Sequence, residues 1–188
     1  TNTTNSSNGN TFMGNWCGYY NRTGEYNTGI GFHGDMENNS RSYNTFLGSW
    51  IDINGTGTVA LGYGVDVNGT ANYGIGIGYI ADINAADYAM AIGGLTNITS
   101  NGHYSIIMGE DAICSEGYVI GIGSFANMTA DSSIGIGSSV AVSGLNSIAI
   151  GTGITLADSN SIAIGNGATV SGNNEVAIGN SLTNQVGG

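Results

Sequence analysis

Few residues of this chain could do chemistry: Cys17 and Cys114, His33 and His103, and 13 carboxylates, among which Asp35/Glu37 and Glu110/Asp111 stand close together. A thiol nucleophile needs a base within hydrogen-bond reach, and neither histidine is placed to activate either thiol. Paired carboxylates could cleave a glycan only across a cleft, and nothing gives either pair one. The runs "GIGIG" at 74–78 and "GIG" at 121–123 invite a phosphate-loop reading. No helix follows either run, so the helix-terminal amides that cradle a phosphate would not exist. The expectation is a chain that is not an enzyme and carries no catalytic residue, metal constellation or cofactor.

Charge narrows the partners. The chain has 34 Gly, no Pro, two basic residues (Arg22 and Arg41) and a formal charge of −11. Charged residues make up 8% of it, against roughly 25% in an ordinary domain. Nucleic-acid binding rests on clustered Lys and Arg that displace counterions, and two Arg do not supply that. An anionic membrane surface is disfavoured for the same reason, and no apolar run approaches the roughly 20 residues needed to cross a bilayer. Net charge alone would suggest disorder, but 40% of residues are apolar and they recur with a period. Beginning at Thr1, the chain reads as a processed product or a fragment without a signal peptide of its own.

That period must position everything else. The Gly that closes each apolar unit falls at 109, 123, 137, 151, 165 and 179, each 14 residues from the next. Looser copies end at Gly93, Gly78, Gly62, Gly48, Gly31 and Gly14, with spacings between 14 and 17. So frequent a glycine would cost a helix roughly 1 kcal/mol each, and the apolar residues alternate instead of recurring at three and four. In Ser147-Ile148-Ala149-Ile150, the two Ile share one face while Ser and Ala share the other. A second alternating strand follows each anchor, as in Ile154-Thr155-Leu156, Val140-Ala141-Val142 and Ala168-Thr169-Val170. Two short strands joined by Gly-rich corners cannot bury an apolar face alone, so the copies must stack. The expected fold is all-β: a parallel β-solenoid of about twelve 14–17-residue rungs, a rod on the order of 55 Å long at ~4.8 Å per stacked strand.

Ile150 and Ile148, Ile164 and Ile162, and Ile178 and Val176 are read as interior. The position two before the anchor then forms an outward stripe of small residues: Ala60, Gly76, Ala91, Gly121, Gly135, Ala149, Ala163 and Ala177. Such a stripe suits close approach of another chain, so it is the expected oligomer interface. Cys17 and Cys114 fall in interior columns about six rungs, or ~29 Å, apart. Being far beyond the ~7 Å Cα separation that a disulfide allows, they are expected as buried free thiols.

The repeated "NSIAIG" at 146–151 and 160–165, with its "xGAxVSG"-like filler, resembles the head repeat of trimeric autotransporter adhesins of the YadA-like family. The resemblance is strong over 105–180 and reaches 10–104 by extension of the period. It implies a left-handed parallel β-roll, three chains side by side, and adhesion to a host or matrix surface by a non-enzymatic head displayed extracellularly. Other homes of the same roll keep two alternatives open: a phage or viral tail- or head-fibre segment on a virion surface, or a structural filament spacer. The chain divides into an N-terminal extension (1–9), Tyr- and Asn-rich irregular rungs (10–104), regular rungs (105–180) and a C-terminal tail (181–188).

Two columns carry the partner expectations. Five before the anchor stand Tyr26, Tyr43, Tyr73, Tyr88, Tyr104 and Tyr118, a ladder suited to low-entropy contact with protein or glycan. Four after the anchor stand Asp52, Asp66 and Asp82, then Asn97, Asn127, Thr155 and Thr169. A calcium row is conceivable there, yet the nonapeptide signature of calcium-binding solenoids is absent, so a solvated acidic face is expected. Sequons at Asn21, Asn38, Asn54, Asn68, Asn97 and Asn127, with Asn2 and Asn5, would accept glycans in a eukaryotic or viral setting. The partners expected are sister chains and a host surface protein, matrix protein or glycan, with no nucleic acid and no direct membrane insertion.

Overall fold

The structure, a computed structural model, describes residues 8–36, 41–69, 71–84 and 86–179. Short strands coil into a parallel β-solenoid of about 11 turns, and no helix occurs among the described residues. Twelve first strands, from Thr11–Met13 to Val176–Ile178, enclose those turns, one fewer than the rungs counted from the anchors. Pairing is in register and parallel throughout: Ile134 lies beside Ile148, Ile148 beside Ile162, and Ile162 beside Val176. Thr28–Asp35 and Thr45–Ile53 run unbroken through the corner that elsewhere separates the two strands.

The anchor glycines explain the period. They adopt φ between 126° and 151°, a region that an L side chain resists. Space forbids a side chain as well: a Cβ on Gly137 would sit on the carbonyl oxygen of Gly151. Successive turns approach backbone to backbone here.

The interior reverses the expected faces. Ser147 and Ala149 point inward with 0% exposure, whereas Ile150 points outward at 38%. The whole stripe of Ala60, Gly76, Ala91, Gly121, Gly135, Ala149, Ala163 and Ala177 lies in the chain's own core, so it cannot touch a sister chain. The reason is volume. The second strands send large side chains inward, among them Val65, Ile83, Met128, Ile154 and Leu156, and close packing leaves room mostly for small ones opposite; Ile107 fits in this column where the second strand contributes the smaller Ala112 and Cys114. A Cβ on Gly121 would come within 2.8 Å of Met128 Cγ, and one on Gly135 within 2.6 Å of its Sδ. Where the first strand contributes Phe46, the space is returned by Gly29 and Gly34, whose Cβ atoms would collide with the Phe46 ring.

A buried polar ladder completes the core. Asn27 and Asn44 in the early turns, and Ser105, Ser133, Ser147 and Ser161 later, occupy the position four before the anchor and are buried. Each side-chain oxygen accepts the backbone N–H at the same position of the next turn: Asn27 Oδ1 from Asn44 at 2.9 Å, Ser147 Oγ from Ser161 at 3.1 Å. The Ser147 hydroxyl also donates across the turn to the Asp158 carbonyl at 2.9 Å. These bonds serve backbone groups that the strand ladder does not reach.

The two broad outer faces differ in kind. The first-strand face carries Ile, Val, Leu and Met at alternate positions in every turn from Val59 to Ile178. The second-strand face carries Asp66, Asp82, Asn97, Ile113, Asn127, Ala141 and Thr155 in register, mostly polar with Ile113 exposed among them. A contiguous apolar face opposite a polar one is the kind of surface that marks association.

Candidate functional site

Each turn bends through two corners in left-handed backbone. One lies five residues before the anchor and the other two after it. In the last three turns the first corner is held by Asn146, Asn160 and Asn174, and in the turn before them by Ser132; for Asn this conformation is cheap. In the earlier turns it is held by Tyr26, Tyr43, Tyr73, Tyr88, Tyr104 and Tyr118, at φ 55–62°. A bulky residue here costs roughly 1–2 kcal/mol, and such strain gathers where function or packing demands it.

The sequence places these tyrosines in one column, and the structure stacks them. Tyr73, Tyr88, Tyr104 and Tyr118 form one run with centroids 5.0, 5.2 and 5.3 Å apart and planes within 15° of parallel. Tyr26 and Tyr43 form a second run at 5.3 Å. All six are exposed. A stacked ladder hides most of its ring faces and offers a comb of ring edges and phenol hydroxyls at strand spacing.

Beside this ladder runs a polar column, six before the anchor, whose side chains accept backbone N–H groups of the preceding turn. Ser42 Oγ accepts from Glu25 at 2.9 Å, Asn72 Oδ1 from Thr56 at 3.2 Å, Asp87 Oδ1 from Asn72 at 2.7 Å and His103 Nδ1 from Asp87 at 2.9 Å. His103 is thereby a scaffold acceptor.

A second aromatic cluster at the other corner was missed from sequence. His33 is sandwiched between Trp16 and Trp50, at 5.8 and 4.5 Å. Tyr19 stacks on Trp16 at 5.1 Å, and Phe32 meets Trp50 edge-on at 5.7 Å. The column mixes Trp, His, Gly, Ile, Leu, Asp, Phe and Ser, so no single letter betrays it. The signal available was the shared offset of Trp16, His33 and Trp50, each two after its anchor.

The acidic column lies on the outer side of the second strand, but it is less solvated than expected: Asp52, Asp66 and Asp82 are half-buried, each with its Oδ1 out of solvent. Asp52, Asp66 and Asp82 are in register. Asn68 donates to Asp66 at 2.7 Å and Asn84 to Asp82 at 3.0 Å. Desolvation raises the Asp82 pKa, opposed by the Asn84 hydrogen bond. No group of three or more His, Cys, Asp or Glu able to hold a metal occurs among the described residues.

Both thiols are free and buried, and burial pushes both pKa values up, the opposite of an activated nucleophile. Cys114 donates to the Glu116 carbonyl at 3.0 Å. Glu110 is exposed and Asp111 occupies a left-handed corner at φ 51°; Glu37 lies outside the described residues. Of the sequons, Asn21 is buried and its amide donates to the Gly24 carbonyl, a placement closed to a glycan. Asn54, Asn68 and Asn97 are half-buried and Asn127 is exposed, while Asn2, Asn5 and Asn38 fall outside the described residues.

Fold and surface define a parallel β-solenoid with one apolar face, one largely polar face that is acidic in its early turns, and aromatic ladders at its corners. Compared with known protein families and with curated proteins, the chain matches none.

Proposed function

We propose that this chain is a non-enzymatic attachment module, the head of an extracellular fibre that holds aromatic ladders toward a host surface, matrix protein or glycan. The observation that carries the reading is six exposed tyrosines kept in costly left-handed backbone where Asn serves in the last three turns. In this reading the coil is a left-handed roll, three copies lie side by side, and the outward Ile face is what they bury against one another. That arrangement leaves the corners and the acidic face in solvent. The resemblance of "NSIAIG" to adhesin head repeats supports the same reading.

Replacing Tyr73, Tyr88 and Tyr104 together with Ser tests it. Binding to a glycan and matrix-protein array should be lost while circular dichroism stays unchanged. Undiminished binding by the variant would return the ladder to a purely structural role.

A further inference from the structure

Eight of the ten tyrosines stack face to face across neighbouring turns. To the two corner runs already described, Tyr63 and Tyr79 add a pair beyond the anchor, at 5.6 Å and 10°. All eight are 50–63% exposed. Each phenol thus has solvent at its rim and a second phenol against its face. A one-electron oxidant can reach the rim, and the face already holds a partner for the ring it oxidises. The chain's two cysteines are free and buried, so no disulfide ties one turn to another.

We propose that these stacks are sites of oxidative tyrosine cross-linking, with Tyr88 and Tyr104 the leading pair and hydrogen peroxide, used by a haem peroxidase, as the oxidant. Orbital direction carries the argument. A phenol that loses one electron and its O–H proton becomes a phenoxyl radical. Its spin density at the carbons ortho to oxygen lies in p orbitals perpendicular to the ring. Two such radicals combine along the ring normal, so a face-to-face pair is aligned for coupling and an edge-on pair is not. Tyr88 and Tyr104 are inclined by 5° with centroids 5.2 Å apart. Closing to the ~3–3.5 Å of a reactive contact takes about 2 Å, a movement open to rings whose outer sides are in solvent.

The chemistry balances. The new C–C bond joins one ortho carbon of each ring. Each of those carbons then gives up its hydrogen as a proton, the electrons of that C–H bond restore the aromatic ring, and the ring oxygen takes a proton to become phenol again. In sum two tyrosines lose two hydrogens, and one hydrogen peroxide is reduced to two waters. The link ties residue 88 to residue 104, the same corner of the next turn. A cross-link of this kind restricts the unfolded chain as a disulfide does, so the linked turns resist peeling apart. Proximity alone does not select the pair: Tyr19 and Tyr20 are closer, at 4.8 Å, but meet at 79°.

Cross-linking does not depend on the attachment reading, and its test involves no receptor. The experiment treats the whole chain, at high dilution, with a haem peroxidase and one equivalent of hydrogen peroxide. Mass spectrometry should show single chains lighter by two hydrogens per link. Peptide mapping should place the links within the stacked pairs, Tyr88 to Tyr104 foremost, and the linked chain should unfold at higher urea. Tyr88→Phe with Tyr104→Phe keeps two rings in the stack but removes the O–H hydrogens that coupling needs. Links in the run from Tyr73 to Tyr118 should then vanish, while that of Tyr26 to Tyr43 persists. Should the double variant fail to fold, the map of the parent chain carries the test. Absence of intrachain links, links chiefly between chains, a Tyr19 to Tyr20 link more abundant than those of the stacked pairs, or undiminished linking in the double variant overturns the assignment.

Discussion

Tyr88 and Tyr104 lie face to face, with centroids 5.2 Å apart and planes inclined by 5°, although each sits in left-handed backbone at φ 56° and 57°. Stacking returns roughly 0.5–1.5 kcal/mol for such a pair, about what the corner conformation costs. The two terms nearly cancel.

That balance makes the ladder replaceable without loss of fold. Tyr88→Asn, which copies the corner of the last three turns, loses the stacks on Tyr73 and Tyr104 but relieves the corner, and should destabilise by less than about 2 kcal/mol in urea unfolding. Tyr88→Val loses both stacks and puts a β-branched residue in the same conformation, so it should destabilise by about 2 kcal/mol or more. Equal effects would mean that the corner strain is not what distinguishes them.

Ser147 tests the buried polar ladder. Ser147→Ala leaves the Ser161 N–H without its 3.1 Å acceptor and the Asp158 carbonyl without its donor. An unsatisfied buried group costs about 1–3 kcal/mol, so the variant should melt earlier, and the Ser161 amide should exchange with deuterium faster than that of Ile148. Unaltered exchange at Ser161 would show that the ladder contributes little.

Asp82 sets a pH dependence of definite sign. Burial raises its pKa above the ordinary 3.8, so the folded chain holds that proton more tightly than the unfolded chain does. Its contribution to stability is therefore greatest below the ordinary value and is lost as pH rises through the raised one. Asp82→Asn, which copies Asn97 of the next turn, should raise the melting temperature at neutral pH and flatten its slope between those two values. Half exposure limits the gain to under about 1 kcal/mol. A variant less stable than the parent at neutral pH would contradict this.

The outward Ile face predicts self-association. Light scattering should give about three times 19.0 kDa. Ile136→Asp with Ile150→Asp puts charges on partly exposed outer positions and should reduce the mass to one chain without unfolding it. A parent chain already monomeric would remove the interface.

Much of the fold was legible in the sequence. Anchor glycines at 14-residue intervals demand a repeated backbone position, and alternation around Ile154-Thr155-Leu156 named the inward residues of the second strand correctly. The first strand was misassigned because a period of two separates two faces without saying which is inside. Ile148 and Ile150 look like core by hydropathy, but the side chains of Met128 and Leu156 already fill the coil, so Ala and Ser take the inner side. That is a fact of three-dimensional volume, and no single strand contains it. The tyrosine column was legible because its letter repeats.

The register of Gly137 over Gly151 has a consequence for growth. Every copy meets the next through the same backbone contact, so neither member of a pair depends on its place in the series. Duplication of one 14-residue unit among the regular turns would be absorbed without rewriting its neighbours. Each duplication would carry the aromatic turns about 4.8 Å farther along the axis, making the regular end a spacer whose length gene duplication can set in single-strand steps.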